Sequence, residues 1–209
     1  MERLTIQVGG FEVNCSILSE NGKAWIVDPG QEPNRILALL KERTLTPAAI
    51  LLTHAHFDHI GAVPALQTAY PDLSVYFGDA DRSVITHPLN QLPPDYPPVG
   101  KPGAVSDSRK LKDETGLAVD VIETPGHTPG GVCYFFSHPS STDPRPWLFS
   151  GDTLFAGSVG RTDLPGGDMA TLMGSLRKLT ALPDDTLVIP GHGMHTRIAL
   201  EKSGNPFLQ

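Results

Sequence analysis

Four side chains of the kinds that bind transition-metal ions stand within six residues of this sequence, in His54-Ala55-His56-Phe57-Asp58-His59. The apolar residues 48–52 precede this segment and predict a short buried strand. Because residues i and i+2 of an extended chain point the same way, His54 and His56 can bind one ion together. Asp58 and His59 lie in the following turn and can reach a second ion. The segment therefore predicts a metal site at the end of a strand, in a fold that brings further ligands there.

Three further potential ligands follow other predicted strands, each among small residues. They are His127 after Thr124-Pro125-Gly126, Asp152 after Ser150-Gly151, and His192 within Pro190-Gly191-His192-Gly193. The glycines leave room for an ion and a substrate close to the backbone. Ligands from several strand ends can converge on one edge of a fold, so we expect five histidines and two aspartates in one site. Imidazole and carboxylate ligands suit Zn, Fe, Mn or Co better than Ca or Mg.

The rest of the sequence predicts two series of strands and helices. Alternating or continuous apolar residues predict strands, and an apolar helical face predicts a helix. The predicted strands are residues 4–8, 13–18, 24–27, 48–52, 74–77, 117–122, 132–136, 147–150 and 186–189, and the predicted helices are residues 33–43, 62–69 and 169–180. Two such series predict a sandwich of two sheets with helices outside, in a single domain over residues 1–209. Residues 92–103 include five prolines and predict an extended loop.

The charge and the hydropathy narrow the class of partner. The formal net charge of −7 at pH 7 argues against nucleic acid, because non-specific nucleic-acid binding needs a basic surface. No run of about 18 apolar residues is present, so we expect no membrane span. Met1-Glu2-Arg3-Leu4 shows no apolar segment of a secretory signal. We therefore expect a cytoplasmic protein that acts on a small molecule, with an oligomeric state that the sequence leaves open.

The order of the motifs His-x-His-x-Asp-His, Gly-His-Thr, Gly-Asp-Thr and Gly-His resembles the metallo-β-lactamase superfamily over nearly the whole chain. Residues 150–164 resemble its glyoxalase II branch, and residues 204–208 resemble the ending of its short bacterial members. The resemblance implies an α/β fold, a four-layer αββα sandwich, which agrees with the pattern of strands and helices. It also implies how the ligands divide: His54, His56 and His127 at one ion, Asp58, His59 and His192 at a second, and Asp152 bridging the two.

The resemblance further implies a hydrolase with two divalent metal ions, zinc in the first place and iron or manganese as alternatives. A hydroxide between the ions would attack the carbonyl of a thioester, such as the S-acylglutathione S-D-lactoylglutathione, and an ion would stabilise the oxyanion. Asp58 and Asp152 are the expected catalytic residues, because Asp58 can orient the nucleophile and Asp152 would hold both ions. This chemistry needs no nucleophilic side chain, and the sequence has no Gly-x-Ser-x-Gly segment.

Arg161, His195 and Phe155 are the residues that we expect to contact substrate. A guanidinium can bind a carboxylate through two hydrogen bonds, although an ion pair of Arg161 with Asp163 or Asp168 is an equal alternative. Full-length glyoxalase II enzymes have a C-terminal helical domain that contacts glutathione, whereas only 17 residues follow His192. A thioester other than an acylglutathione is therefore an alternative substrate.

Other activities occur on the same fold. Persulfide dioxygenases share the Gly-Arg-Thr-Asp segment found here at residues 160–163, and they bind one iron ion through two histidines and an aspartate. His54, His127 and Asp152 are the candidates for that role, while the intact Gly-His-Gly at residues 191–193 resembles the hydrolases. An ester or lactone hydrolase would use the same ions with a different pocket. Asp28 ends a predicted strand, where it either contacts the ligand loops or forms a turn.

Overall fold

Two mixed β-sheets lie face to face in this protein. The computed structural model describes residues 1–90, 105–140 and 144–209, and the proline-containing residues 92–103 lie outside the described residues. The strands of the first sheet are β1 Glu2–Val8, β2 Val13–Glu20, β3 Lys23–Val27, β4 Thr46–Leu51, β5 Ser74–Phe77 and β6 Val105–Asp107, adjacent in that order. Those of the second sheet are β7 Asp120–Glu123, β8 Val132–Phe136, β9 Trp147–Gly151, β12 Leu187–Pro190 and β13 Thr196–Arg197, in the order β13-β12-β9-β8-β7. A small ribbon is formed by β10 Leu154–Phe155 and β11 Ser158–Val159.

Helices lie against the outer face of each sheet and in the connections between strands. They are α1 Pro33–Glu42, α2 Phe57–Ile60, α3 Val63–Ala69, α4 Arg82–Ile85, α5 Leu111–Thr115, α6 Met169–Thr180 and α7 Ile198–Gly204. The apolar face of α1 packs on the first sheet through Ile36 and Leu40. Helix α6 packs on the second sheet and begins at Asp168, whose carboxylate accepts a hydrogen bond from Thr171 N at 2.7 Å. In the described residues, no helix has the length and the apolar character that crossing a membrane requires.

Three apolar clusters separate the layers. The middle cluster joins the two sheets, for example through Trp25 and Leu51 of the first sheet and Tyr134 and Phe149 of the second. One outer cluster joins the first sheet to α1 and α3, and the other joins the second sheet to α6 and α7. The order helix, sheet, sheet, helix confirms the predicted αββα sandwich.

The strand directions bring the four ligand-bearing loops to one edge. Strands β9 and β12 are parallel, and β7 runs in the same direction because it is antiparallel to β8, which is antiparallel to β9. The carboxyl ends of β7, β9 and β12 therefore lie at the same edge of the second sheet. The loop after β4 leaves the first sheet at this edge, beside them. The fold thus places the ends of four strands around one site.

The predicted long elements are present, and their ends differ from the prediction by about two residues. The strand predicted at residues 117–122 is the exception, because β7 begins only at Asp120. Asp120 pairs with Phe135, and β8 ends one residue later, so residues 117–119 lie at and past the end of their partner strand. Leu117 and Val119 instead pack into the cluster between the sheets. Their apolar pattern thus reflects burial and not strand pairing.

Candidate metal centre

The side chains that the sequence identified as ligands converge where the loops after β4, β7, β9 and β12 meet. Their ligand atoms form three overlapping groups, and within each group these atoms all lie within 4.8 Å of one another. We call His54, His56 and His127 the first ligand group, and Asp58, His59 and His192 the second ligand group. A third set of His54, His59 and Asp152 connects the two. All seven predicted ligands are therefore in one cluster.

The first ligand group consists of three imidazole rings. His56 Nδ1 lies 3.0 Å from His127 Nε2, and the His54 ring packs against both rings with centroids 4.8 Å away. His54 Nε2 is buried and has no hydrogen-bond partner in the described part of the chain. Leaving a buried polar atom unpaired costs free energy, and an ion at the centre of this group would provide the missing partner. The group therefore fits a metal ion.

The second ligand group combines imidazole and carboxylate. His192 Nε2 lies 3.3 Å from both His59 Nε2 and Asp58 Oδ2. Asp152 stands between the groups, because its Oδ1 is 3.4 Å from His59 Nε2 and its Oδ2 is 3.6 Å from both His127 Nε2 and His192 Nε2. A carboxylate in this position can contact an ion in each group. The cluster as a whole suits a binuclear site for divalent ions.

Hydrogen bonds on the outer side of two rings fix their tautomers. His127 Nδ1 lies 2.7 Å from the carbonyl oxygen of Arg161, and His192 Nδ1 lies 2.8 Å from the carbonyl oxygen of Phe11. A carbonyl oxygen can only accept, so each Nδ1 atom must carry a hydrogen. In the neutral rings, Nε2 is then unprotonated and directs its lone pair into the cluster, as a metal ligand must.

Asp28 is buried directly after β3, contacts His59 of the second group and reaches His54 of the first group through Thr53. Its Oδ1 accepts a hydrogen bond from Thr53 N at 2.8 Å, and its Oδ2 accepts one from the Thr53 hydroxyl at 2.7 Å. Because that hydroxyl hydrogen is used, Thr53 Oγ1 is free to accept from His54 Nδ1, 3.1 Å away. His59 Nδ1 lies 3.0 Å from Asp28 Oδ2, in ion-pair contact but off the line of a hydrogen bond. Asp28 also forms the turn, with φ of 48°, so both of its expected roles are present.

The electrostatic settings of the two ligand groups differ. Burial keeps the pKa of His54 well below its usual range and lowers the pKa of His56 to about 4. Burial also disfavours a charged His192, but hydrogen bonds to the carboxylates of Asp152 and Asp58 outweigh it and raise its pKa to about 10. In the absence of an ion, a proton on His192 therefore offsets the carboxylates beside it, while His54 and His56 of the first group stay neutral.

Two buried polar residues that the sequence analysis did not identify hold the loops of the first ligand group. Asp81 accepts hydrogen bonds from Ala55 N at 3.0 Å and from Thr128 Oγ1 at 2.9 Å, and also one from Gly130 N. Asn90 Nδ2 donates to Ala55 O at 2.8 Å. Ala55 lies between His54 and His56, and Thr128 follows His127. Both polar groups of the Ala55 backbone are therefore fixed by buried side chains.

Asn14 on β2 holds the loop that carries His192, and the sequence analysis missed this residue too. Its Nδ2 donates to Pro190 O and to Gly193 O, each at 2.9 Å, and its backbone N donates to Gly191 O at 2.8 Å. The first two partners lie 176 and 179 positions away along the chain. A single asparagine in a strand has no spacing to a motif that would reveal such a role.

A cleft of about 610 Å³ opens onto the ligands. Phe11 and Phe57 form part of its wall, with their rings edge to face and their centroids 5.5 Å apart. Phe11 lies in the turn between β1 and β2 and remains 52% exposed. Leu164 and Pro165 line the cleft as well. A small molecule with apolar parts can therefore reach the ligand cluster.

The residues expected to contact substrate occupy different places. Arg161 lines the cleft, but its guanidinium donates two hydrogen bonds to Asp163, each 2.7 Å long, so the ion pair that the sequence left open is formed. The Phe155 ring lies beside the ring of His192, at a centroid distance of 6.4 Å. His195 lines a separate surface groove next to β1 and β2.

Comparisons with known proteins agree with this geometry. Residues 8–192 match the sequence model of the metallo-beta-lactamase superfamily. The chain is 36% identical to the hydroxyacylglutathione hydrolase GloC of Haemophilus influenzae, over 97% of this chain and 96% of that protein. It is 36% identical to the solved structure of the BLEG-1 B3 metallo-beta-lactamase, with a TM-score of 0.83 over 99% of each chain. It is 38% identical to TTHA1623 in a di-iron-bound form, with a TM-score of 0.80 over 98% of this chain and 100% of that one.

The chain therefore belongs to the metallo-β-lactamase superfamily, and the family and fold expected from its motifs are confirmed. Within the superfamily it resembles the glyoxalase II-like hydrolases, a resemblance that the similarity to the hydroxyacylglutathione hydrolase GloC supports. A more distant similarity, 26% identity and a TM-score of 0.73 over 99% of this chain and 84% of the other, relates it to ETHE1 from Myxococcus xanthus. The site is thus that of a superfamily metallo-hydrolase, and its substrate has to be argued separately.

Proposed function

We propose that this protein is a metal-dependent thioester hydrolase that acts on an S-acylglutathione, with S-D-lactoylglutathione as the first candidate. The observation that carries the proposal is the completeness of the cluster. Both ligand groups are present, Asp152 stands between them, and one cleft opens onto them. The similarity to the hydroxyacylglutathione hydrolase GloC supports a thioester as the substrate.

When bound, a pair of divalent ions supplies an acidified water molecule as the nucleophile and positive charge that stabilises a developing oxyanion. The first ligand group would hold one ion, the second ligand group the other, and Asp152 would contact both. We propose zinc, with iron or manganese as alternatives, and the di-iron form of TTHA1623 makes iron the first of these to test.

The protein's own side chains would orient the reactants. Asp58 lines the cleft beside His192, where its carboxylate can accept a hydrogen bond from the attacking water and direct it. Phe11 and Phe57 offer an apolar surface on which the acyl or thiol part of the substrate can pack. We place the reaction in the cytoplasm, in one domain over residues 1–209, with a small-molecule thioester as the partner.

A persulfide dioxygenase is the second candidate, and the similarity to ETHE1 leaves it open. Such an enzyme would need His54, His127 and Asp152, and His127 Nε2 does lie 3.6 Å from Asp152 Oδ2. It would have no use for the second ligand group, which is intact here. We therefore favour the hydrolase.

The two candidates differ in the product that they release. We expect purified, metal-loaded protein to release free thiol from S-D-lactoylglutathione, and the H192A variant to lose most of this activity. Oxygen consumption with glutathione persulfide, measured on the same preparation, is expected to be absent. Oxygen uptake without any release of thiol from the thioester would overturn the proposal in favour of the dioxygenase.

A further inference from the structure

The turn between β1 and β2 reaches the second ligand group, although it contributes none of the ligands. Asn14 lies at the start of β2, is 6% exposed, and bonds carbonyl groups on both sides of His192. Pro190 and Gly191 precede this histidine and Gly193 follows it. A few residues earlier, the carbonyl oxygen of Phe11 accepts the hydrogen bond from His192 Nδ1. One segment thus holds both the backbone and the ring of a single ligand.

The loop of residues 190–193 needs such external support. Glycine loses more conformational freedom on folding than any other residue, and glycines flank His192 on both sides. Gly193 has a φ of 74°, a backbone angle that residues with a side chain rarely adopt. A Cβ atom at Gly191 would overlap the Asp152 carboxylate and would lie 2.6 Å from His59 Cε1, so this glycine cannot be replaced by a stiffer residue. The loop is therefore flexible by composition and is ordered by its contacts.

We propose that Asn14 is a positioning residue for the second metal ion: by fixing the loop around His192, it sets the affinity of the second ligand group. This inference rests on the proposed two-ion site. Loss of the Asn14 amide would let the His192 loop sample other conformations. The first ligand group would stay in place, because Asp81 and Asn90 hold it independently of Asn14. Partners of metal ligands typically change metal affinity by about 10- to 100-fold when they are removed.

The test is a titration of metal-depleted full-length protein with zinc in competition with a chromophoric chelator, which resolves two binding steps. The H192A variant identifies the step that belongs to the second ligand group, because it should lose that step alone. For N14A we expect the second dissociation constant to rise by about 10- to 100-fold and the first to stay within about twofold. N14S keeps one hydroxyl donor, so its second dissociation constant should lie between those of N14A and the unchanged protein. If N14A does not fold, N14S tests the role of Asn14 instead.

Asn205 offers a matched control. It is fully buried, and its Nδ2 donates to Ser158 O and to Glu201 Oε2, so N205A also removes the two hydrogen bonds that a buried amide donates, together with the one that its Oδ1 accepts from Phe207 N. N205A should lower the melting temperature at least as much as N14A and should leave both zinc-binding steps unchanged. A general loss of packing would instead affect both variants alike.

Three outcomes separate the inference from the proposed function. Equal weakening of both steps in N14A, or no change in either, would overturn the positioning role of Asn14. Two zinc steps without thioester hydrolysis would overturn the proposed activity. The two zinc dissociation constants of N14A, compared with those of the unchanged protein, would still test the role of Asn14. A single zinc step in the unchanged protein would contradict the two-ion site and the inference together.

Discussion

The two ligand groups lie side by side, yet the protein holds them in different ways. The first is built from loops after β4 and β7, and its support comes from Asp81 and Asn90, between 26 and 49 positions away from the groups that they bond. The second depends on a loop near the end of the chain, and Asn14 and Phe11 hold that loop from near its beginning. The His192 side chain is also 27% exposed, against 5% for His127.

One half of the site is therefore local in sequence, whereas the other half joins residues near both ends of the chain. Closing a longer loop costs more conformational entropy, although the cost rises slowly with length. The second ligand group relies on more distant contacts, and its ligand His192 is more exposed than His127 of the first group. We expect it to be the weaker half, the first to lose its ion and the more sensitive to changes outside the ligands.

Replacement of the residue common to both halves should have the largest effect. In D152A, neither ligand group retains the carboxylate between them, and a metal site contributes several kcal/mol to such a reaction, so we expect kcat to fall by about a thousandfold. Metal content and thioester hydrolysis measured on the same sample check this. D163A, at the exposed partner of Arg161, is the control, and retention of activity in D152A would contradict a shared ligand.

The next largest effect is expected from a substitution at Asp81, which supports the first ligand group as Asn14 supports the second. D81N keeps the size of the side chain but replaces one of its two acceptor oxygens with an NH2 donor, so the backbone N–H of either Ala55 or Gly130 loses its acceptor and the loops of the first ligand group are held less firmly. We expect the first zinc dissociation constant to rise by about 10- to 100-fold, with the second step little changed. The competition titration measures both, and circular dichroism confirms folding. If D81N weakened mainly the second step, the claim that the two ligand groups are supported by different residues would be contradicted.

Asp28 contacts the ligand His59 directly and the ligand His54 through Thr53, whereas Thr53 contacts only His54 among the ligands. D28N removes the negative charge that faces His59 and the acceptor that orients the Thr53 hydroxyl, so both zinc steps should weaken, each by about tenfold. T53V removes the hydroxyl that links Asp28 to His54 Nδ1 but keeps the Thr53 N bond to Asp28 and the charge that faces His59, so it should weaken mainly the first step. If T53V weakened only the second step, Asp28 would not support His54 through Thr53 and His59 through a separate contact.

The sequence could predict the ligands because their chemistry is concentrated in short motifs at strand ends. The ligands in residues 54–59 can be identified by residue type and spacing, and the strands that precede the ligand motifs can be identified by their apolar patterns. Asn14, Asp81 and Asn90 could not be predicted in this way, since each is one polar residue whose partners are distant in sequence and are mostly backbone groups. Leu117 and Val119 gave a strand pattern for a different reason, because an apolar pattern reports burial and these residues fill the core without pairing with a strand.

The smallest effect is expected at Arg161. Its guanidinium is exposed and already paired with Asp163, and exposed ion pairs contribute little, so R161A should change KM for S-D-lactoylglutathione by less than about threefold. Steady-state kinetics check this, and R177A on α6 serves as a matched loss of one positive charge. A rise in KM of about tenfold or more in R161A alone would show that the substrate displaces Asp163 from this side chain.

Restoring metal to the depleted protein in small steps, and following thioester hydrolysis at each one, tests directly whether both halves of the site are needed. If the two ligand groups act as one binuclear site, hydrolysis should stay low while the first equivalent binds and should rise as the second binds. The H192A variant should bind the first equivalent and show little hydrolysis at any metal concentration. Full hydrolysis at one equivalent, unchanged by the second, would contradict the claim that both halves of the site are needed.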